Sequence, residues 1–416
     1  MKKTVLIFGA VIIALTLINC HDVNCLPDSH FSEDGKLKEP IDSAFEMENP
    51  HKVKFFMEAS GSMNGLYRPG CKTEFRDDVY QIISYYLSDN DEVYTLCSNN
   101  GRSGYSYSLT QFGSAIKSSG FPAMDATSIT DMMETVISNI DTLNHQVGVL
   151  ISDMKFDPDG IDNIEYQLGM YTTKVSHITS ESNLSFSLVA AKSKYYTKQN
   201  SIISEESPYY YLIMGKSENV AKVRDDISTM LMKNGNYVDN IETGMNYGGI
   251  NFELEKVRNC MKQPNAPTFV DVDPSEPCKI KLNIHLENYR WCLANEDFVR
   301  SSFTCKMIHG SSVDIDSIDI DSTFINSNHE LDRKMIASIY LSVKNLQADC
   351  DVIEWTFNPC SQDNNIAGFA NFCGAMSWQD FSKTYSIEYF LKGFFRAAKL
   401  SQCSKKSNYI LISTHQ

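Results

Sequence analysis

Between residues 51 and 236, short apolar runs alternate with segments whose apolar residues recur every three or four positions. The runs at 53–57 and 146–152 predict strands that are buried on both faces of a sheet. The segments at 73–87 and 127–140 predict amphipathic helices, because their apolar residues share one helical face. Strands that alternate with helices predict an α/β domain with a doubly wound, mostly parallel sheet.

After residue 237, the apolar segments are short, β-biased and separated by turn residues. Examples are "CKIKLNIHLENYRW" at 278–291 and "CDVIEWTFNPC" at 350–360. Such segments predict a β-rich C-terminal domain over 237–416, for which a sandwich is the expected arrangement. This domain should close with a helix at 386–400 and a last strand at 408–413.

The first twenty residues form a segment of their own. Two lysines, at positions 2 and 3, precede a 14-residue apolar run at 5–18. A charged start followed by a short apolar run is typical of an export signal, and the run is shorter than a membrane-spanning helix requires. Residues 1–20 are therefore predicted to be a signal peptide.

The end of this segment, "LINC" at 17–20, resembles the lipoprotein box of bacterial lipoproteins. Asn19 departs from that family, which prefers a smaller residue there. The resemblance implies that acyl chains on Cys20 anchor the exported chain to a membrane of the cell envelope, with the choice between inner and outer membrane left open. Cleavage without lipidation, followed by secretion, is the alternative. The polar residues 21–50 would then be a tether.

The composition of the chain argues against some classes of binding partner. The chain has 416 residues and a formal net charge of −15, which argues against nucleic-acid binding because such proteins normally show a basic stripe. The same charge disfavours adsorption to anionic lipid. The twelve cysteines include no CxxC pair, so a structural zinc site is not expected. Eight of them lie beyond residue 259, which favours disulfide bonds in the C-terminal half, with the pairing left open.

Polar side chains follow the strands of the predicted α/β domain at the points where the strands end. Glu58, Ser60 and Ser62 come directly after the first strand, and Asp153 follows the apolar run at 146–152. Thr127 precedes the helix that leads into that run. Ligands of open α/β sheets bind at the carboxyl ends of the strands, so these side chains should converge. Hydroxyl and carboxylate oxygens suit Mg²⁺ or Mn²⁺.

These residues resemble the metal-ion-dependent adhesion site of von Willebrand factor A-like domains. That motif reads DxSxS, then a distant Thr, then a distant Asp after a hydrophobic strand. Here the corresponding pieces are "EASGSM" at 58–63, "ATSITDMMETV" at 126–136 and "VLISDM" at 149–154. The resemblance covers about residues 51–236 and implies the fold of that family.

The resemblance also implies a role for each matching residue. Ser60, Ser62 and Thr127 would contact the metal directly, and Glu58 and Asp153 would hold its waters. The open coordination position would accept a carboxylate from a protein partner.

Two features of the motif depart from the family or leave a choice. The family usually has Asp where this chain has Glu58, and the extra methylene moves the carboxylate by about 1.5 Å. This change lowers the expected affinity for Mg²⁺ or favours Mn²⁺. Ser128 and Thr130 are alternatives to Thr127 as the third hydroxyl.

A second acidic segment, "VDIDSIDID" at 313–321, contains four aspartates. It could bind Ca²⁺, but it lacks the loop Gly and the terminal Glu of an EF-hand. An exposed strand with acidic residues on one face is the favoured interpretation.

Together these features predict an exported, membrane-anchored lipoprotein that is not an enzyme and that binds a protein ligand through Mg²⁺. The sequence contains neither a G-x-S-x-G elbow nor a P-loop, and no base is evident for Ser60 or Ser62 as a nucleophile. One alternative is a metal-independent scaffold of the cell envelope. Another is a hydrolase whose site lies in the C-terminal half.

Overall fold

A computed structural model describes residues 30–31, 37–38, 46–97, 104–122, 128–156, 163–246, 249–286, 296–321, 335–346, 349–358, 367–377, 379–400 and 407–414. Thr127 and Cys20 lie outside these residues, as does the predicted signal segment. Within the described part of the chain, no helix is both long and apolar enough to cross a membrane.

Seven strands form the largest sheet, in the spatial order β3-β2-β1-β4-β6-β5-β7. They are β1 (Lys52–Glu58), β2 (Glu92–Leu96), β3 (Gly104–Ser108), β4 (Gln146–Ser152), β5 (Ser185–Tyr196), β6 (Ile202–Gly215) and β7 (Tyr237–Thr243). The first strand lies in the middle of the sheet between β2 and β4, and it is parallel to both.

The other neighbouring strands of this sheet are antiparallel. The prediction of an α/β sheet is confirmed, but the prediction that it is mostly parallel is wrong. For β5 and β6 the reason is that residues 197–201 join them directly, and so short a connection can only form a hairpin. β7 then pairs antiparallel with β5 at the sheet's edge.

The described residues form seven α-helices: α1 (Glu74–Tyr86), α2 (Leu109–Ser118), α3 (Ile129–Asn139), α4 (Ile164–Glu181), α5 (Ser217–Asn234), α6 (Glu296–Ser302) and α7 (Ile387–Leu400). The helices α1, α2 and α5 cover one face of the seven-stranded sheet, and α3, α4 and α7 cover the other. Successive residues of β1 point to opposite faces of the sheet. Phe55 packs in the core beneath α1, α2 and α5, and Phe56 packs in the core beneath α3, α4 and α7.

Local signals explain where these helices begin. The side chain of Thr73 accepts a hydrogen bond from the backbone N–H of Arg76 at 3.4 Å, and this caps α1. Ser108 and Gln111 form a reciprocal capping box at the start of α2. Ser128 accepts from the N–H of Asp131 and caps α3. The predicted helices at 73–87 and 127–140 are therefore confirmed over Glu74–Tyr86 and Ile129–Asn139.

The remaining strands form two further sheets. One has the order β12-β15-β16-β10-β9 and the other has the order β13-β14-β11-β8. Their bounds are β8 (Phe252–Arg258), β9 (Met261–Lys262), β10 (Thr268–Val270), β11 (Cys278–His285), β12 (Phe303–Met307), β13 (Ser312–Ile320), β14 (Ile336–Lys344), β15 (Cys350–Phe357) and β16 (Asn408–Ser413). Trp355 and Ile412 of the first sheet share one core with Leu282 and Leu341 of the second, as expected for a sandwich.

Three elements beyond residue 236 pack with the seven-stranded sheet instead of the sandwich. They are the edge strand β7, a 3₁₀ turn at Ala367–Phe372, and α7, which the sequence predicts to close the β-rich domain. The apolar face of α7, including Ile387, Phe390 and Phe394, is buried against that sheet and α4. A Cβ at Gly393 would lie 2.5 Å from the carbonyl oxygen of Thr172, so glycine allows the two helices to approach closely.

Candidate metal centre at the carboxyl edge of the sheet

The candidate site lies where the chain leaves β1 and β4. Glu58 is the last residue of β1, and Asp153 directly follows β4. The chain continues from β1 to β2 on one side, whereas β4 lies on the other side, so this is the point where the strand order reverses. Parallel strands bring their carboxyl ends to one edge, which places Glu58 and Asp153 together as predicted.

A 3₁₀ turn at Gly61–Gly65 presents the two serines. The Oγ atoms of Ser60 and Ser62 lie 2.9 Å apart. The hydroxyl of Tyr195, near the end of β5, donates to the carbonyl of Ser62 at 2.9 Å and so fixes the turn. Gly65 makes room for this tyrosine, because a Cβ there would lie 2.2 Å from its ring.

The two carboxylates are almost completely buried, with 2% of Glu58 and 3% of Asp153 exposed. Glu58 accepts a hydrogen bond from the hydroxyl of Ser152 at 2.5 Å. In Asp153, Oδ1 accepts from the backbone N–H of Lys155 at 3.2 Å. The other oxygen of Asp153, Oδ2, is buried and has no hydrogen-bond partner among the described residues. A buried carboxylate oxygen in that state is costly, so this oxygen is an open ligand position.

The negative charge of the site acts on two nearby tyrosines. Burial raises the pKa of Tyr67, and the charges of Glu58 and Asp153 raise it further. The pKa of Tyr171 is raised by burial and by Glu58. The hydroxyl of Tyr67 is buried and has no hydrogen-bond partner among the described residues. Both carboxylates act on Tyr67, so Glu58 and Asp153 contribute to the same local electrostatic field.

A segment from the end of the chain forms a wall of the site. Thr384 is fully buried, and its hydroxyl donates to the backbone carbonyl of Asp153 at 3.3 Å. The hydroxyls of Thr384 and Tyr210 are also hydrogen-bonded, at 2.9 Å. Phe381 stacks on Tyr195 with ring centroids 4.2 Å apart. Sequence reasoning missed these residues, because no local pattern shows that a segment more than 200 positions away returns to this edge.

The structure thus brings together Glu58, Ser60, Ser62 and Asp153, four of the five residues predicted to hold a metal. The fifth, Thr127, lies outside the described residues. Of its alternatives, Ser128 serves as the cap of α3, and its hydroxyl lies 3.4 Å from that of Thr130.

The donor set fits a hard divalent cation. All its donors are oxygens, and one of them is the unpartnered Oδ2 of Asp153. Neighbouring ligands of an octahedral Mg²⁺ with bonds of 2.0–2.1 Å lie about 2.9 Å apart. The Oγ atoms of Ser60 and Ser62 are hydrogen-bonded at 2.9 Å, a separation that both ligands could keep on such an ion.

The acidic segment at 313–321 pairs with lysines. The ammonium of Lys344 lies 2.9 Å from the carboxylate of Asp314, and that of Lys279 lies 2.9 Å from Asp316. Hydrogen bonds from Ser342 and Lys279 lower the pKa of Asp316. These contacts support the interpretation of β13 as an exposed strand with acidic residues on one face.

A second group of possible metal ligands lies at the opposite ends of β1 and β4, where these strands begin. Glu48, His145 and Glu218 each offer one ligand atom, and all three atoms lie within 4.8 Å of one another. Nδ1 of His145 is 3.5 Å from a carboxylate oxygen of Glu48. Sequence reasoning missed this group as well, because its members come from three distant segments.

Comparison with known proteins adds no family to this description. No protein-family model matches the chain, and neither a curated protein nor a solved structure matches it. The resemblance to von Willebrand factor A-like domains therefore rests on the motif and on its place at the edge of an α/β sheet.

Proposed function

We propose that the chain is a binding protein of the cell envelope, anchored through Cys20, whose von Willebrand factor A-like layer binds a protein ligand with the help of Mg²⁺ or Mn²⁺. Ser60, Ser62 and Thr127 would contact the cation directly, and Glu58 and Asp153 would hold it through its waters. When bound, the cation supplies an electrophilic position that accepts a carboxylate of the partner. The observation that carries this proposal is the buried Oδ2 of Asp153, which has no hydrogen-bond partner among the described residues.

The electrostatics of the edge favour a cation. Burying a polar atom without a partner costs about 1–3 kcal/mol, and more when the group is charged. Glu58 ends β1 and Asp153 directly follows the paired strand β4, and both carboxylates are almost completely buried. A divalent ion bound at this edge would offset this cost, which is why we favour a metal-holding role over a helix-capping role for the "SGS" turn.

We favour binding over catalysis because of the contacts that the two serines make. The hydroxyls of Ser60 and Ser62 are hydrogen-bonded to each other. A serine nucleophile needs a general base within hydrogen-bond reach. Holding a ligand's carboxylate requires only hydroxyls and a metal, which matches the observed donors.

One observation favours a metal-independent scaffold as the second candidate. The carboxylate of Glu58 already accepts from Ser152, and Thr384 covers the backbone of Asp153. In a scaffold, these contacts would simply join the end of β1, the end of β4 and the C-terminal segment.

Thermal unfolding in EDTA, Mg²⁺ and Mn²⁺ tests the proposal. The wild-type chain should be compared with the Ser60→Ala, Ser62→Ala double variant. A His145→Ala variant serves as the control, because it disrupts the second group of possible ligands and leaves the serines intact. At a metal concentration of 100 times the dissociation constant, a site that binds only the folded state adds about 2.7 kcal/mol to the free energy of unfolding.

The expected result is that metal raises the midpoints of the wild type and of His145→Ala but not that of the double variant. No shift in any of the three proteins would favour the metal-independent scaffold. A shift that disappears only in His145→Ala would place the metal where β1 and β4 begin and refute the adhesion site.

A further inference from the structure

Cys260 and Cys278 lie at a junction between the two sheets of the sandwich. Cys260 lies between β8, which belongs to the four-stranded sheet, and β9, which belongs to the five-stranded sheet. Cys278 is the first residue of β11, the strand that pairs antiparallel with β8. In that pairing, Arg258 stands opposite Lys279, so the chain brings the two cysteines to neighbouring positions.

Asn259 fixes this arrangement. It has a positive φ of 58°, which turns the chain between β8 and β9. Its side-chain amide donates to the carbonyl oxygens of Asp273 and Glu276, both at 2.9 Å, and its amide oxygen accepts from the N–H of Asp273. The turn that precedes Cys278 is therefore tied to the residue that precedes Cys260.

The two thiols lie near each other. The Cys260 thiol lies 3.7 Å from the carbonyl oxygen of Lys279, the residue that follows Cys278. A hydrogen bond between the thiols lowers the pKa of Cys260 and raises that of Cys278. Cys278 is fully buried, whereas Cys260 is half-buried. Cysteines that are held at neighbouring positions need little backbone movement to become bonded.

We infer that Cys260 and Cys278 form a disulfide in the exported protein. A second observation agrees with an oxidised chain, since Cys350 is disulfide-bonded in the structure. The bond would fix the crossover from the four-stranded to the five-stranded sheet. The spacing of the cysteines in the sequence had left this pairing open.

The two cysteines have different roles in forming the bond. Cys260 is half-buried and reaches solvent, whereas Cys278 is fully buried. The Cys260 thiolate therefore attacks a disulfide donor, such as a thiol–disulfide oxidoreductase of the envelope, and forms a mixed disulfide. Cys278 then loses its proton and attacks the Cys260 sulfur. The donor leaves with both electrons as a dithiol.

Mass spectrometry of the unreduced chain tests the pairing directly. Trypsin cuts after Arg258, Lys262 and Lys279, and this separates the two cysteines into the peptides 259–262 and 263–279. The expected result is that these peptides are joined in an alkylated, unreduced digest of protein purified from an exporting host. Finding both cysteines alkylated, or either one linked to another cysteine, would overturn the inference.

Stability measurements provide an independent test. The cysteines are 18 positions apart, and a cross-link that closes a loop of this length changes the unfolding equilibrium constant by roughly 200-fold in the chain-entropy model. Cys260→Ser and Cys278→Ser should each lose this amount under oxidising conditions, and the double variant should lose no more than either. Cys305→Ser is the matched control, since Cys305 is a half-buried cysteine of the same sandwich and, like Cys260 and Cys278, a free thiol in the structure. Losses in Cys260→Ser and Cys278→Ser that persist after reduction of all proteins would contradict the bond.

Discussion

Replacing Phe394 by alanine should weaken the seven-stranded layer, because α7 forms part of its core. Phe394 is fully buried, and its ring lies 6.4 Å from that of Phe186 in β5 and 5.5 Å from that of Phe390. Truncating a buried Phe to Ala typically costs about 3–5 kcal/mol, through lost burial and the remaining cavity. Folded domains have net stabilities of about 5–15 kcal/mol, so the loss should be large.

Hydrogen exchange followed by mass spectrometry shows where the loss occurs. The Phe394→Ala variant should exchange faster in α4 and in β5 around Phe186, which contact α7, by a factor that matches the lost free energy of unfolding. Arg396→Ala is the matched control, because Arg396 is on the same helix but is exposed. It should leave protection within about 0.5 kcal/mol of the wild type.

One pattern of exchange would refute the reasoning. If Phe394→Ala accelerates exchange only in sandwich strands such as β11 and β14 and leaves β5 protected, then α7 belongs to the β-rich domain, as the sequence alone predicts. A uniform acceleration across all strands would mean that both parts unfold together, and urea titration would then give the size of the loss.

Two further substitutions test single contacts. Burial raises the pKa of Asp351, but hydrogen bonds from Ser311 and the N–H of His309 lower it to a net value below the ordinary one. Such a group stabilises the fold above the ordinary carboxyl pKa near 4. In urea titrations between about pH 6 and about pH 3, the free energy of unfolding should therefore fall more in the wild type than in Asp351→Asn. Equal falls in the two proteins would contradict this. Thr384→Val keeps the shape of the side chain but leaves the hydroxyl of Tyr210 without its partner. This should lower the free energy of unfolding by about 1–3 kcal/mol, measured by thermal unfolding. An unchanged midpoint would show that the contact is not formed.

The sequence predicts the elements of the seven-stranded layer well, because burial imposes a local period. The segment at 73–87 became α1, which buries Phe75, Val79 and Ile82 at helical spacing. Strand direction was harder to predict, since a continuous apolar run suits any strand that is buried on both faces. The length of the connection indicates the direction of these strands. Only residues 197–201 separate β5 from β6, too few for the crossover that parallel strands require.

The candidate site was predictable only in part, for a related reason. Glu58 and Asp153 each follow an apolar strand, and the rule that ligands bind at the carboxyl edge is enough to bring them together. Tyr67, Tyr195 and Thr384 complete the site through tertiary packing. Their own sequence surroundings carry no periodic or motif signal of that role.

The path of the chain ties the candidate site to the sandwich. The chain leaves the seven-stranded sheet after β7, builds most of the sandwich, returns through Thr384 and α7, and then re-enters the sandwich as β16. β16 lies between β15 and β10 in the middle of its sheet, so it cannot detach without opening that sheet. Thr384 therefore connects the backbone beside Asp153 to a central strand of the other part of the molecule. A ligand that displaces the wall at Phe381 and Thr384 would have to move a segment held at both ends, so we expect ligands to approach the serine side of the edge, where Ser62 is half-exposed.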